Sequence, residues 1–153
     1  MLAVSPTVLI RIRTAYRFTV VRAVLSPASP ATTISAATVA RLRLRTPVRG
    51  PGGVCYLTLR NNLGGHEEFS VCANIETISP TPTPLRSLSQ QTVQAFNNLR
   101  LADPSFHKAA PVEMILGADL YAKLLQPGLM PSIAGQLVAQ NTLLGWVISG
   151  VTH

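Results

Sequence analysis

The chain has 153 residues, of which 47% are apolar and 12% charged. A chain of this length buries roughly two-thirds of its unfolded surface in one domain, and this composition excludes a disordered tail. Its 13 Lys and Arg residues outnumber 6 acids, giving a net charge of +7, and nine of these cations precede the first acid, Glu67.

No apolar run reaches the roughly 18–20 residues that a membrane-spanning helix needs. The N-terminus, "MLAVSPTVLIRIR", lacks the basic start of a secretory signal. We therefore interpret it as a strand and expect one intracellular domain over residues 1–153 without membrane contact.

The first third of the chain predicts a β-hairpin, a turn and a short helix. Val8–Thr14 and Arg17–Leu25 alternate apolar and polar residues, which favours two paired strands. The segment "SPASP" breaks the second strand, and Thr32–Ile34 resumes it. Ser35 is then a suitable N-cap for a helix with apolar residues at helical spacing, namely Ala36, Val39, Ala40 and Leu42.

The remaining segments are mostly β. Two strands, "VCYLTLR" and "FSVCANIETI", flank the turn "NNLGGHEE", and a proline-rich connector follows at residues 80–88. A short helix is predicted in "SQQTVQAFNNLRL", a strand, glycine and helix in "PVEMILGADLYAKLL", and one or two strands in "GQLVAQNTLLGWVISG". The sequence thus predicts an all-β protein, a small barrel with two or three short helices.

Several stretches together carry a family resemblance. They are "VRAVLSPASPATTISAATVARLRL" near the N-terminus, and "LRLADPSF", "MILGADLYAKLLQPG" and "AQNTLLGWVISG" in the C-terminal half. These stretches resemble the aspartic peptidase domain in polyproteins of the BEL/Pao retrotransposons. The resemblance covers roughly residues 8–151. It implies a retropepsin-like, single-lobe β-barrel that forms a homodimer, because each lobe of that kind supplies half of a cleft. The apolar segments "VLIRI" and "LGWVISG" are expected to pair between the two subunits.

The resemblance also identifies where a catalytic triplet would stand. In retropepsin-like enzymes an Asp-Thr/Ser-Gly turn presents a carboxylate, and two such carboxylates share a proton and activate one water. The aligned residues here are Ser26, Pro27 and Ala28. This chain therefore lacks the carboxylate, and we expect an aspartic-peptidase-like domain without catalytic activity.

The family pattern assigns further residues to the cleft. Leu116, Gly117, Ala118 and Asp119 would support it, and the loop Gly50, Pro51, Gly52 and Gly53 would close over it as a flap or form a plain turn. If the loop is a flap, a peptide would still bind in the inactive cleft. The resemblance further predicts that Ser26–Ser29 lies near Leu116 and Gly117.

Two other functions stay open at this stage. The chain would be an active endopeptidase if another carboxylate, Asp103 or Asp119, replaced the lost one, although Asp119 suits the first turn of a helix over Ala118–Leu125. It would be a module for nucleic acid or another anionic partner if the Arg-rich N-terminal half formed a binding surface. Four cations crowd one run of that half, Arg41, Arg43, Arg45 and Arg49. A solvated surface is the simpler interpretation of this run, because no aromatic residues alternate with it.

Other chemistry has weaker support. Cys55, His66 and Cys72 lack a fourth ligand at regular spacing, and His107 and His153 have no neighbouring partner in sequence, so we expect no metal and no cofactor. Both cysteines occupy strand positions that are ordinarily core, and a disulfide between them is disfavoured in a reducing compartment. Ser26 and Ser29 lack the Gly-x-Ser-x-Gly setting of a nucleophile. Trp146 is expected in a core or an interface.

Overall fold

The computed structural model describes residues 1–46, 52–131 and 136–152. The strands of these ranges are β1 (Leu2–Val4), β2 (Thr7–Arg13), β3 (Phe18–Leu25), β4 (Thr33–Ser35), β5 (Val54–Asn61), β6 (Glu68–Glu76), β7 (Met114–Leu116), β8 (Leu125–Met130), β9 (Gln136–Thr142) and β10 (Gly145–Thr152). The helices are α1 (Ala36–Leu42), α2 (Gln90–Gln94) and α3 (Ala118–Leu124). None of the helices in these ranges has the length and apolar character needed to cross a membrane.

Six strands close into a barrel in the order β2-β3-β7-β4-β6-β5. Alternate residues of each long strand point inward, as the two-residue period of a strand requires. In β2 the inward residues Val8, Ile10 and Ile12 have no exposed surface. The mostly β architecture and the barrel predicted from the sequence are therefore confirmed.

One strand of the barrel departs from sequence order. β7 pairs parallel with β3 and antiparallel with β4, so it lies between two strands that are consecutive along the chain. The connection from β3 to β4, residues 26–32, must therefore pass around the end of β7. This arrangement brings residues 26–32 next to residues 116–119.

The remaining strands form a second sheet in the order β1-β10-β9-β8. One face of it packs on a separate small core, in which Leu137 and Ile148 meet Phe96 and Phe106. The two phenylalanine rings pack edge to face with their centroids 6.2 Å apart. Trp146, predicted as a core or interface residue, is partly buried and packs against this core.

Most predicted elements of the first third are confirmed. β2 and β3 form the predicted hairpin, and Ser35 caps α1 by accepting a hydrogen bond from the Thr38 amide at 3.0 Å. β8 was not predicted, because Pro127 and Gly128 suggest the end of a helix rather than a strand. α3 ends at Leu124, one residue before the predicted end.

Candidate functional site

The loop at residues 26–32 is held by backbone hydrogen bonds to the end of β7 and the start of α3. The Ser26 amide donates to the Leu116 carbonyl at 2.8 Å, and the Ala118 amide donates to the Ser29 carbonyl at 2.7 Å. Each bond is worth about 1 kcal/mol net. The predicted proximity of Ser26–Ser29 to Leu116 and Gly117 is therefore confirmed.

Gly117 is required by the close approach of two backbones. A Cβ at this position would lie 2.6 Å from the Ala31 carbonyl carbon and oxygen and 2.7 Å from the Ser29 oxygen. These atoms belong to the backbone, so the loop cannot rotate a side chain away to make room. Glycine lets the loop and α3 touch without this overlap.

Asp119 ties the same loop to α3. Its Oδ1 accepts from the Thr32 hydroxyl at 2.8 Å and its Oδ2 accepts from the Thr32 amide at 3.2 Å. The Thr32 hydroxyl also accepts a hydrogen bond from the Gly117 amide at 3.2 Å. Asp119 stands in the first turn of α3, as predicted, but its contacts show that it also fixes the loop.

Asp103 lies in a separate buried cluster rather than at the loop. Its side chain has no exposed surface, and it forms an ion pair with Arg22, whose side chain is 11% exposed. Its Oδ2 accepts from the Arg22 Nε at 2.9 Å and from the Thr7 hydroxyl at 2.8 Å, while the Ser105 amide donates to Oδ1. The carboxylate therefore binds the segment before β7 to the barrel.

The triplet positions themselves are accessible. Ser26 is half-buried, and Pro27 and Ala28 are exposed at the tip of the loop. These three residues carry no ionisable group, and Pro27 has no amide hydrogen to donate. The loop can therefore contact a ligand through carbonyl oxygens and the Ser26 hydroxyl, but it cannot transfer a proton in the way that a carboxylate does.

A groove of about 490 Å³ runs beside the loop. Its walls include Ser29 of the loop, Thr33 of β4, Ile115 of β7 and Glu76 at the end of β6. Sequence reasoning did not identify Glu76, which falls near the end of the predicted strand "FSVCANIETI". The segment 77–83 that follows it along the groove overlaps the proline-rich connector predicted at residues 80–88, but its place in a groove was not predicted. The mix of hydroxyl, aliphatic and carboxylate groups is suited to an extended peptide chain.

The predicted flap is only partly within the described residues. Gly50 and Pro51 lie outside them. The Gly52 amide donates to the Ile75 carbonyl, and the Ile75 amide donates to the Gly53 carbonyl, each at 2.9 Å. Gly52 and Gly53 are therefore anchored to β6, and the role of the loop as a flap stays a prediction.

The two cysteines lie on opposite sides of the barrel wall. Cys55 is opposite Ala73 and Tyr56 is opposite Cys72, so the cysteines are one residue out of register and face in different directions. Cys55 is buried and Cys72 is exposed, and both are free thiols. The prediction that Cys72 is a core residue is wrong for this reason. Burial, together with the charge of a Cys72 thiolate, raises the pKa of the Cys55 thiol.

The histidines and the candidate metal ligands are placed as follows in the described residues. His107 is buried, and its Nδ1 has no hydrogen-bond partner among the described residues. Burial lowers the pKa of His107, the charge of Lys108 lowers it further, and Asp103 opposes both effects. His153 lies outside the described residues. Within residues 1–46, 52–131 and 136–152, no group of at least three His, Cys, Asp or Glu side chains is placed to hold a metal ion.

The described arginines of the run Arg41–Arg49 have different surroundings in the structure. Arg41 forms an ion pair with Glu113, and Arg43 ends α1 in a left-handed conformation with φ of 53°. Arg45 is exposed, and Arg49 lies outside the described residues. Other arginines, distant in sequence, come together instead on the β2–β3 hairpin.

Comparisons with known proteins leave the family open. A scan against protein-family models finds no match, and a search of curated proteins finds no relative of this chain. The assignment of a function therefore rests on the residues of the loop, the groove beside it and the strand that separates β3 from β4.

Proposed function

We propose that this chain is a retropepsin-like, retrotransposon-derived aspartic-peptidase domain that has lost catalysis and binds peptides. The observation that carries the proposal is the position of β7 between β3 and β4, which fixes the loop of Ser26, Pro27 and Ala28 against Gly117. A catalytic turn has to be held rigidly at the edge of a cleft. The hydrogen bonds of this loop supply that rigidity, although the catalytic carboxylate is absent.

The loss of catalysis follows from the chemistry of the triplet. Water attack on a peptide bond needs a group that accepts a proton and later returns it, and this assistance is worth typically 10²–10⁴ in rate. The Ser26 hydroxyl does not ionise in the working pH range of such a group. A residual hydroxyl therefore binds a peptide but does not activate water.

The contacts of Asp103 and Asp119, the two acids considered as substitutes, favour an inactive domain over an endopeptidase with a substitute carboxylate. Asp103 is fully buried and paired with Arg22. Asp119 uses both of its oxygens to bind Thr32. Each carboxylate thus already has a structural function, and moving either one to the groove would break the contacts that hold the loop or the barrel.

The groove fits a short extended peptide. Ser29 and Thr33 offer hydroxyl groups to a peptide backbone, Ile115 offers an apolar contact, and Glu76 offers a negative charge. A peptide with an apolar side chain and a basic residue would match these groups. Peptide binding therefore survives in this proposal although hydrolysis does not.

The proposal includes a homodimer. The segments "VLIRI" and "LGWVISG" were expected to pair between subunits, but they lie in β2 and β10, and both strands already have neighbours on both sides within the chain. In the described sheet, β1 and β8 are the edges. A symmetric dimer would therefore add strands at β1 or β8, where Leu129 is 62% exposed.

A cleavage assay with loop variants tests the proposal. The unmodified protein is expected to cleave no peptide in a manner sensitive to aspartic-peptidase inhibitors. The single variant Ser26→Asp stays inactive, because Pro27 and Ala28 still misplace the loop. The triple variant Ser26→Asp, Pro27→Ser, Ala28→Gly gains weak activity at acidic pH, and its matched control carries Ser26→Asn with the same two other changes.

The control separates the charge from the shape of the loop, because Asn keeps the size of Asp without its acid–base chemistry. Peptide binding to the unmodified protein, measured by fluorescence anisotropy with a peptide library, is expected to weaken on Glu76→Gln. Inhibitor-sensitive cleavage by the unmodified protein would contradict the loss of catalysis. If no peptide of the library bound to the unmodified protein, the binding function would be contradicted.

A further inference from the structure

The outer face of the β2–β3 hairpin gathers arginines around an aromatic ring. The guanidinium carbons of Arg60, Arg13 and Arg11 lie 4.3, 5.4 and 5.7 Å from the centroid of the Phe18 ring. Arg60 comes from β5, whereas the other two belong to β2. We call Arg11, Arg13, Tyr16, Arg17, Phe18 and Arg60 the hairpin face.

The charge of this face is poorly balanced. Arg11 and Arg60 are directly opposite each other on paired strands, where like charges are normally destabilising. Glu68 pairs with both Arg13 and Arg60 and is the acid in contact with them. Even if Glu67 of the adjacent turn is counted, four arginines face two carboxylates. The face therefore attracts anions.

The turn of the hairpin also exposes apolar surface. Tyr16 is 99% exposed, and Val20, on the same strand as Phe18, is 45% exposed. Arg17 beside Tyr16 is exposed as well. A fully exposed tyrosine contributes nothing to the core, and its ring is available to stack on a planar partner.

We propose that the hairpin face binds single-stranded nucleic acid. Arginines contact the phosphates, and the exposed ring of Tyr16 stacks on a base, a combination by which proteins bind single strands without sequence preference. The Phe18 ring packs against the guanidinium groups and holds them on this face. A duplex fits less well, because its bases are already stacked on each other and turn only their edges outward. An acidic peptide matches the charge but offers the exposed tyrosine no planar partner.

This site is independent of the peptide groove. Phe18 begins β3, and Leu25, which precedes the triplet loop, ends it. At about 3.3 Å per residue, the two ends of this strand are roughly 20 Å apart. Substitutions on the hairpin face should therefore leave peptide binding unchanged, and loss of one function does not imply loss of the other.

Fluorescence anisotropy with labelled oligo-dT and oligo-U of equal length tests the proposal. We expect the logarithm of the association constant to fall linearly with the logarithm of the salt concentration. The Arg11 guanidinium already donates to the Asn61 and Gly65 carbonyls, which leaves three arginines for phosphates. The expected slope is therefore about −2, because each contact on a single strand contributes about −0.7. Tyr16→Ala should weaken binding about tenfold at constant salt, within the range for one stacked base.

The charge variant is Arg13→Gln with Arg17→Gln, and its matched control is Arg45→Gln with Arg86→Gln. Both doubles remove two exposed positive charges, but the control residues lie outside the hairpin face. The hairpin double should reduce the salt slope by about 1.4 and the control should leave it unchanged. Circular dichroism checks that each variant is folded.

Several outcomes would overturn the proposal. Equal losses in the two doubles would mean that net charge, rather than this face, attracts the oligonucleotide. If Tyr16→Ala bound the oligonucleotide as tightly as the unmodified protein, no base would stack on Tyr16 and the proposal would be wrong. A duplex or a poly-glutamate chain that binds as tightly as the single strand would assign the face to a different partner.

Discussion

Removing the Asp103 carboxylate should strongly destabilise the fold. The side chain is fully buried, and Asp103→Ala removes an acceptor from Thr7, Arg22 and Ser105 at once. Arg22 is left 11% exposed without its ion-pair partner. Breaking a buried pair costs about 3–5 kcal/mol. Since the Arg22 Nη1 keeps its 2.6 Å bond to the Ala110 carbonyl, we expect the lower end of that range, about 3 kcal/mol.

Equilibrium unfolding in urea measures this change. The matched control is Glu68→Ala, which removes the carboxylate of a partly exposed pair with Arg60 and should cost less than about 1 kcal/mol. The double variant Arg22→Met, Asp103→Leu should recover much of the loss, because apolar residues of similar volume often replace a buried pair without penalty. If Asp103→Ala costs no more than Glu68→Ala, the cluster does not stabilise the barrel and the reasoning is wrong.

Two further predictions concern the loop and His107. Gly117→Ala should destabilise the protein by about 1–3 kcal/mol, because its Cβ would overlap the backbone of Ala31 and Ser29; an unchanged urea midpoint would contradict that contact. Folding lowers the pKa of His107 from its ordinary value of 6.5. Below that pH, therefore, the unfolded chain binds a proton on His107 more readily than the folded chain does. The unfolding free energy should therefore fall as pH drops below about 6.5, and less steeply in His107→Phe; identical pH profiles would refute the assignment.

Local patterns in the sequence were sufficient for several elements. The alternation of Val8–Thr14 and Arg17–Leu25 predicted the hairpin that β2 and β3 form, and Ser35 before an apolar helical repeat predicted the start of α1. These features depend on residues close together in the chain, so the spacing of apolar residues in the sequence is enough to predict them. β8 was missed because Pro127 and Gly128 look like breakers, although an edge strand tolerates both.

The candidate site was predictable in part. The resemblance predicted that Ser26–Ser29 lies near Leu116 and Gly117, and the hydrogen bonds of the loop agree with that proximity. The groove beside it was not predicted in detail. Glu76 enters its wall because β6 pairs with β4, a relation between segments about 40 residues apart that leaves no local mark.

The sequence by itself determined the mostly β class, the cap of α1, the absence of a carboxylate at position 26 and the excess of positive charge. The tertiary structure alone decided where that charge lies on the fold. The run from Arg41 to Arg49 was interpreted as a solvated surface, with a binding surface as the alternative. In the structure Arg41 is paired with Glu113, while Arg60 joins Arg13 beside Phe18. The physical reason is that strand pairing sets which side chains share a face, and β2 and β5 are neighbours only once the barrel closes.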